Sequence, residues 1–343
     1  MRKYNVAVIG VGAVGKEMLR CLHQRAFPFK EIRVFARSQR DITVEGIVYR
    51  VEAIENAQFD NIDIALFAGT EGEKGASLTY AHKFVDKGAV VIDNGADFRL
   101  DPKVPLVVPE ANREKIFNHQ GIIANPNCTT IQAVVALAGI YKELGLKKII
   151  LTSFQATSGA GRKAMETLWE ETKEIVKINE GINELPQRKK LDKSYQVFPC
   201  QIAFNVIPQI GSFEQEGYTT EEWKVVRETH KILDDNSIKI SATCVRVPVF
   251  TSHSEAIYFE TEKDTDGEEI REILKNSKGV KFFEDNTYPL PLDVEGTDLV
   301  YVGRLRKDIY HKNSFWIWVV ADNLRKGAAL NAIQIAEELP PFL

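Results

Sequence analysis

The sequence predicts an α/β protein in two units: an N-terminal, doubly wound parallel sheet, and a C-terminal α+β part whose sheet is mixed and largely antiparallel. Three observations carry that expectation. Up to Pro126, extended apolar runs alternate with helical stretches, which implies crossover connections and a sheet covered by helices on both faces. The first apolar run ends in a glycine-rich turn. After Pro126 the texture changes to one long helical stretch followed by strands. A length of 343 residues with 44% hydrophobic and 27% charged content supplies apolar material for two packed cores rather than three.

Taken in order, residues 5–9 read as the first strand and 16–24 as its crossover helix, 32–35 as the second strand, 62–68 and 89–92 as further strands, and 76–87 as the helix between them. Met1-Arg2-Lys3 ahead of the apolar stretch Val6 to Val14 imitates a secretory leader. That stretch is punctuated by glycine and passes into Lys16-Glu17 without a small-residue cleavage site, so it reads as a buried strand. Beyond Pro126 an amphipathic helix is expected over 129–142, strands over 148–154, 242–248 and 314–320, and a terminal helix over 330–338 that can pack on either unit. The expected division is a nucleotide-binding unit of residues 1–126, joined by the C-terminal stretch at 323–343, and a second unit of 127–322. No run of about 18 uncharged apolar residues occurs, so no membrane segment is expected. A net charge of −4 lacks the basic excess of a nucleic-acid surface. Cys21, Cys128, Cys200 and Cys244 lie far apart without metal-ligand spacing, which fits free thiols in a reducing, cytoplasmic compartment and no metal site.

Gly10-Val11-Gly12-Ala13-Val14-Gly15 is a G-x-G-x-x-G placed between strand and helix. The backbone amides of Gly10, Gly12, Ala13, Val14 and Gly15 can there receive a pyrophosphate at a helix N-terminus, as in a Rossmann-like sheet; a plain tight turn is the alternative. The second strand runs into Arg37-Ser38-Gln39-Arg40, where a site for NAD would offer an acid to the ribose hydroxyls. Arg37, Ser38 and Arg40 instead match a 2′-phosphate, which favours NADP (NADPH) over NAD; a solvated basic turn is the plain reading. Ala124-Asn125-Pro126-Asn127-Cys128-Thr129-Thr130 puts a cysteine at the first turn of the long helix, where the helix N-terminus favours thiolate. Asn127 can cap that helix or turn its amide toward an oxyanion beside the sulfur. The other three cysteines read as small buried hydrophobes.

Asn125-Pro126-Asn127-Cys128-Thr129-Thr130 resembles the active-site signature of the aspartate-semialdehyde dehydrogenase family. Further segments agree: Phe154-Gln155-Ala156-Thr157-Ser158-Gly159, Val107-Val108-Pro109-Glu110, Gln201-Ile202-Ala203-Phe204-Asn205, Arg246-Val247-Pro248-Val249 with His253-Ser254-Glu255, and Ala321-Asp322-Asn323-Leu324-Arg325-Lys326-Gly327. The glycine turn departs from the family's G-A-T-G-x-V-G by being one residue shorter. The resemblance implies reversible, NADPH-dependent reductive dephosphorylation of aspartyl phosphate to aspartate semialdehyde, through a thioester, by a homodimer joined at the second unit's sheet. It implies Cys128 as nucleophile, His253 as handler of the sulfur's proton, and Gln155 near the reacting carbonyl. Ser158 and Gly159 are then expected at the nicotinamide, with Thr70 and Asn323 completing the cofactor contacts.

The substrate needs complements for an α-carboxylate, an α-ammonium and a phosphate. Arg246 is the candidate for the carboxylate, which a guanidinium grips with two parallel hydrogen bonds. Glu221 and Lys224, three apart on a predicted helix, share a face, so Glu221 can hold the ammonium and Lys224 the phosphate. Thr219 with Glu222 forms a capping box, which explains Glu222 better than Glu221. Arg99 resembles the family's phosphate-binding arginine and would meet Lys224 across the cleft. Three rivals stand beside this reading. An N-acetylglutamyl-phosphate reductase would leave a buried Glu221 without a cationic partner. A glyceraldehyde-phosphate dehydrogenase shares the cysteine-histidine logic with a different cysteine segment. A non-catalytic binding module would not need Cys128 and His253.

Overall fold

The computed structural model describes residues 2–69, 75–178, 197–284 and 287–339. The first unit runs β1 (Tyr4–Ile9), α1 (Ala13–Gln24), β2 (Phe29–Ala36), β3 (Arg40–Val44), β4 (Ile47–Ala53), β5 (Ile64–Phe67), α2 (Ala76–Val85), β6 (Val90–Asp93), the short α3 (Pro109–Asn112) and β7 (Ile122–Ala124). Its seven strands lie in the order β3-β4-β2-β1-β5-β6-β7 and are parallel except for the β3–β4 hairpin. β5 and β6 are buried at every residue and β1 at all but one, as expected of strands covered on both faces. Strand order reverses at β1, so the glycine turn after β1 stands at the topological switch point, where open α/β sheets bind ligands. The hairpin was not legible beforehand. Its turn, Glu45 (φ 49) and Gly46 (φ 80), takes a left-handed geometry without an Asn-Gly or Asp-Gly signature.

The second unit runs α4 (Cys128–Leu144), β8 (Leu146–Gln155), α5 (Arg162–Ile178), α6 (Thr220–Leu233), β9 (Lys239–Arg246), β10 (His253–Thr261), α7 (Gly267–Asn276), β11 (Val280–Phe282), the short α8 (Pro291–Val294), β12 (Val300–Lys307) and β13 (Ser314–Ala321). Six strands in the order β11-β12-β13-β10-β8-β9 form the mixed sheet: the inner pairings are antiparallel, and the edge pairings β8–β9 and β11–β12 are parallel. α4 is less amphipathic than its sequence suggested. It is buried through Leu137 and again at Ile140 and Leu144, because it lies between the second sheet and helices α6 and α7.

A π-helical turn, Arg325–Ala329, leads into α9 (Leu330–Glu338), which returns to the first unit. There Leu330, Ile333 and Ile335 join the core of Val6, Val8 and Leu66, and Arg25 clasps Glu337 at 2.6 and 2.7 Å. None of the described helices is long and apolar enough to cross a membrane.

Candidate active site

Asn127 is the N-cap of α4: its side-chain oxygen accepts from Thr129 N at 3.0 Å and Thr130 N at 3.3 Å, while its amide donates to Glu221 Oε1 at 2.9 Å. The side chain thus caps the helix with its oxygen, while its amide is directed to the Glu221 carboxylate. Cys128 follows at the first helical position and is partly exposed to the cleft. The protein around it nevertheless pushes its thiol up to about 12: burial and the Glu221 carboxylate oppose the thiolate more than Arg246, Arg99 and a hydrogen bond from Thr129 favour it. The helix start alone does not set the sulfur's protonation here.

The second sheet supplies three of the expected site residues. Gln155 ends β8, Arg246 ends β9 directly opposite it, and His253 opens β10, so pairing register brings the three to one edge. Gln155 donates to Thr129 Oγ1 at 2.8 Å and Glu221 Oε1 at 3.3 Å. Arg246 is buried and donates from Nη1 to the Ala156 carbonyl at 2.7 Å. His253 is fully buried; the Ala156 N–H donates to its Nδ1 at 3.0 Å, and its Nε2 has no hydrogen-bond partner among the described residues. Burial, then the Arg246 charge, hold its pKa well below the ordinary imidazole value. The neutral ring with Nδ1 accepting carries its proton on Nε2, so in this geometry His253 presents a donor. Ser252, just before it, sits at φ 68, a left-handed conformation that is costly for a residue with a side chain and is held by Ser252 N donating to Asn323 Oδ1 at 3.0 Å.

Helix α6 lays four charges along one face. Both halves of the Thr219–Glu222 capping box are present. Glu221 is buried with Lys224 Nζ at 3.5 Å; burial raises its carboxyl, but Lys224, the Asn127 amide, Arg246 and the Gln155 amide together hold it below its ordinary value. Arg99 comes from the first unit to this face, yet it meets Glu228 at 3.1 Å rather than Lys224, and donates to the carbonyls of Asn125 and Asn94 at 3.0 and 2.9 Å. Glu228 and Lys231 were missed in the sequence. Their spacing of seven and ten from Glu221 was the available signal, since both fall on the Glu221 face.

The remaining candidates line a cleft of about 1260 Å³ that runs from Arg37, Ser38 and Arg40 past the whole turn Gly10 to Gly15 to Asn127, Cys128, Arg99, Ser158, Gly159 and Asn323. Gln155, Glu221, Lys224, Arg246 and His253 are not among its lining residues. Thr70 lies outside the described residues. Gly15 has to be glycine, because a Cβ there would sit 1.9 Å from the Gly10 carbonyl oxygen, whereas a Cβ on Gly12 would meet nothing within 4 Å. The turn lines the cleft at the start of α1, with no side chain at Gly12 between backbone and cleft. Ser158 Oγ donates to Asn323 Oδ1 at 2.9 Å, tying two expected cofactor residues together. Gly327, not singled out in the sequence, lies so close to Cys128 that an added Cβ would be 3.0 Å from the Cys128 Cβ.

Comparison with known proteins matches this arrangement from end to end. The family model described as semialdehyde dehydrogenase, NAD binding domain, covers residues 5–119, and the one described as semialdehyde dehydrogenase, dimerisation domain, covers 137–326. Aspartate-semialdehyde dehydrogenase of Aquifex aeolicus is 48% identical over 347 residues, spanning 98% of both chains. That of Bacillus subtilis is 42% identical over 346 residues with the same coverage. This chain belongs to the aspartate-semialdehyde dehydrogenase family. The structure of aspartate semialdehyde dehydrogenase II from Vibrio cholerae, complexed with ASA, superposes with a TM-score of 0.92 at 42% identity over 100% of this chain and 99% of that one.

Within this aspartate-semialdehyde dehydrogenase scaffold, Gly159 is a packing requirement of the site. A Cβ there would lie 2.9 Å from Arg246 Nη1 and 3.1 Å from His253 ring atoms, and both side chains are buried. Gly159→Ala is expected to lower kcat/KM on the order of a hundredfold through displaced groups, with little change in Tm. Steady-state kinetics beside a thermal melt checks this, and undiminished turnover would show that the site relaxes freely.

One residue row beneath the site, Glu255 on β10 stands opposite Ser153 on β8, which pairs with Cys244 on β9. Glu255 is fully buried, and neither of its oxygens has a hydrogen bond of normal geometry among the described residues. Burial pushes its carboxyl well above 4.5, with the nearby Gln132 amide opposing. A raised acid pKa means that the folded state binds the proton more tightly, so stability declines as pH rises from the unfolded pKa to the folded one. Glu255→Gln is therefore expected to leave stability at pH 4 nearly unchanged and to add on the order of 1 kcal/mol or more by pH 8. Chemical denaturation at both pH values measures it; a gain equal at both would mean that the carboxyl does not titrate with folding.

Proposed function

We propose that this chain is an oxidoreductase that converts L-aspartyl-4-phosphate and NADPH to L-aspartate 4-semialdehyde, phosphate and NADP, reversibly, through a thioester on Cys128. Lysine, threonine, methionine and diaminopimelate biosynthesis would draw on that product. The observation that carries the reading is the convergence of Cys128, Gln155, His253, Arg246 and Glu221 at the place where the glycine-turn cleft meets the second sheet.

Arg246 grips the α-carboxylate and Glu221 pairs with the α-ammonium. The substrate ammonium then offsets the Glu221 charge, which beside burial opposes the thiolate, and so favours loss of the Cys128 proton to solvent in the complex. The thiolate attacks the acyl carbon and expels phosphate, which Arg99 and Lys224 receive. Gly10 to Gly15, Arg37, Ser38, Arg40, Ser158, Gly159, Asn323 and Thr70 hold NADP, which supplies or accepts the hydride when bound. Gln155 and Asn127 orient the carbonyl, and the Nε2–H of His253 donates to the oxygen that gains charge in the tetrahedral state. As the carbonyl re-forms, the C–S bond breaks and its electron pair leaves on the Cys128 sulfur as thiolate, which takes its proton from solvent. For His253 to take up the thiol proton itself, its bond from Ala156 N–H must first break.

An acetylated amine is disfavoured as substrate because its uncharged nitrogen offers the buried Glu221 no cation beyond Lys224 at 3.5 Å, whereas a free ammonium does. Residues 1–126 with 323–343 would form the cofactor unit and 127–322 the catalytic unit of a soluble, cytoplasmic homodimer. The sheet face away from α4 supports that assembly: Ile150 is 43% exposed there, beside the Phe154–Trp318 and Tyr258–Trp316 ring pairs. The test is NADPH formation from aspartate semialdehyde and phosphate, run with NADP and with NAD. Turnover is expected to require phosphate and to prefer NADP. Activity with N-acetylglutamate semialdehyde alone would overturn the Glu221 assignment, and equal use of NAD would overturn that of Arg37 and Arg40.

A further inference from the structure

We infer that Glu228 is a positioning residue acting as an internal counter-anion: it holds Arg99 at the cleft and competes with phosphate for that guanidinium. The inference rests on the assignment of Arg99 to phosphate made above. The Glu228 carboxylate bridges two parts of the site that belong to different stretches of chain. Its Oε1 accepts from Arg99 Nη1 at 3.1 Å, and its Oε2 accepts at 2.7 Å from the backbone N–H of Asn127, the residue before the nucleophile. The Arg99 and Glu228 side chains are only 6% and 2% exposed, so their attraction is weakly screened.

The reach of Glu228 is fixed by what surrounds it. Three residues further along α6, Lys231 Nζ donates to the carbonyls of Arg99, Asp101 and Val104 at 2.7, 2.6 and 2.8 Å, which fastens the helix to the loop carrying Arg99. Arg99 is held in turn by the carbonyls of Asn125 and Asn94. Neither partner can swing away from the other without breaking several buried bonds. A phosphate arriving at Arg99 therefore meets a cation that already has a carboxylate. That lowers its affinity for phosphate, and it gives departing phosphate a replacement anion that is already in place, so the guanidinium is never left buried and unpaired.

A purely structural role predicts the opposite of a counter-anion role for a neutral replacement. If Glu228 only braces the site, Glu228→Gln loosens it and weakens every ligand. If it is a counter-anion, removing the charge while keeping the shape leaves Arg99 seeking an anion, and phosphate alone binds more tightly. The experiment measures KM separately for phosphate, aspartate semialdehyde and NADP in the full-length enzyme for wild type, Glu228→Gln and Arg99→Gln. The expected result is a fall in the phosphate KM of at least about threefold in Glu228→Gln, with the other two KM values within about twofold of wild type, and a rise in phosphate KM in Arg99→Gln. An unchanged or raised phosphate KM in Glu228→Gln beside a raised one in Arg99→Gln would overturn the counter-anion role and leave the Arg99 assignment standing. An unchanged phosphate KM in Arg99→Gln would overturn both. Should Glu228→Gln not fold, Glu228→Asp, which withdraws the charge by one methylene, is read by the same criterion.

Discussion

Cys128→Ala is expected to abolish phosphate-dependent oxidation of aspartate semialdehyde, lowering kcat by at least about four orders of magnitude, or more than about 5 kcal/mol of barrier. No other described thiol can substitute for it. Cys21 and Cys244 are buried, with burial raising the thiol pKa at both, to about 12 at Cys21 and higher still at Cys244, and Cys200 lies outside the cleft. The variant should fold and bind its nicotinamide cofactor as the wild type does, because Asn127 and not the cysteine caps α4. Stopped-flow and steady-state rates at 340 nm (the nicotinamide absorbance band) measure the loss, and fluorescence titration with NADPH measures what survives. The raised thiol adds a second expectation for the wild type: Cys128 in the empty enzyme should react slowly with iodoacetamide at pH 7. A fast, stoichiometric reaction there would mean that the helix start prevails over burial and Glu221. Substantial turnover by Cys128→Ala would remove the thioester from the mechanism.

The second large effect is expected at Arg246. Its Nη1 is spent on the Ala156 carbonyl at 2.7 Å, and the Glu221 carboxylate is among the charges that act on it. Lysine keeps the charge but cannot hold that carbonyl and a carboxylate in parallel, and a buried, hydrogen-bonded ion pair of this kind contributes about 2–3 kcal/mol. Arg246→Lys should lower kcat/KM for aspartate semialdehyde roughly 30- to 160-fold, mainly through KM, with the phosphate and NADP constants little changed. If the loss appeared in the phosphate KM instead, Arg246 would belong to the phosphate subsite, and the α-carboxylate would need another partner.

The features that could be read without the structure were those whose cause is local. A glycine at position 15 follows from a turn that closes within five residues, and the Thr219–Glu222 box from a helix start that satisfies its own amides. Cys128 at a helix N-terminus and the buried runs of β1, β5 and β6 are written in spacing and period. Partners far apart in the chain were not legible: Glu228 with Arg99 is 129 positions away, and Lys326, one of the largest fully buried side chains, meets Glu110 across 216. Sequence reading placed Arg99 and Lys224 together as two cations for one phosphate. What it did not show is that each of them also has its own carboxylate from α6.

By itself, then, the sequence determined the doubly wound first sheet, the glycine turn at its switch point and the residue types of the candidate site, because period, capping and turn geometry act over a few residues. Only the tertiary structure decided their states: a thiol held protonated, an imidazole held neutral with its proton on Nε2, a carboxylate kept ionised at Glu221 and another driven up at Glu255. Those states depend on which charges are buried together and how far water is excluded from them, and chain spacing carries no record of either.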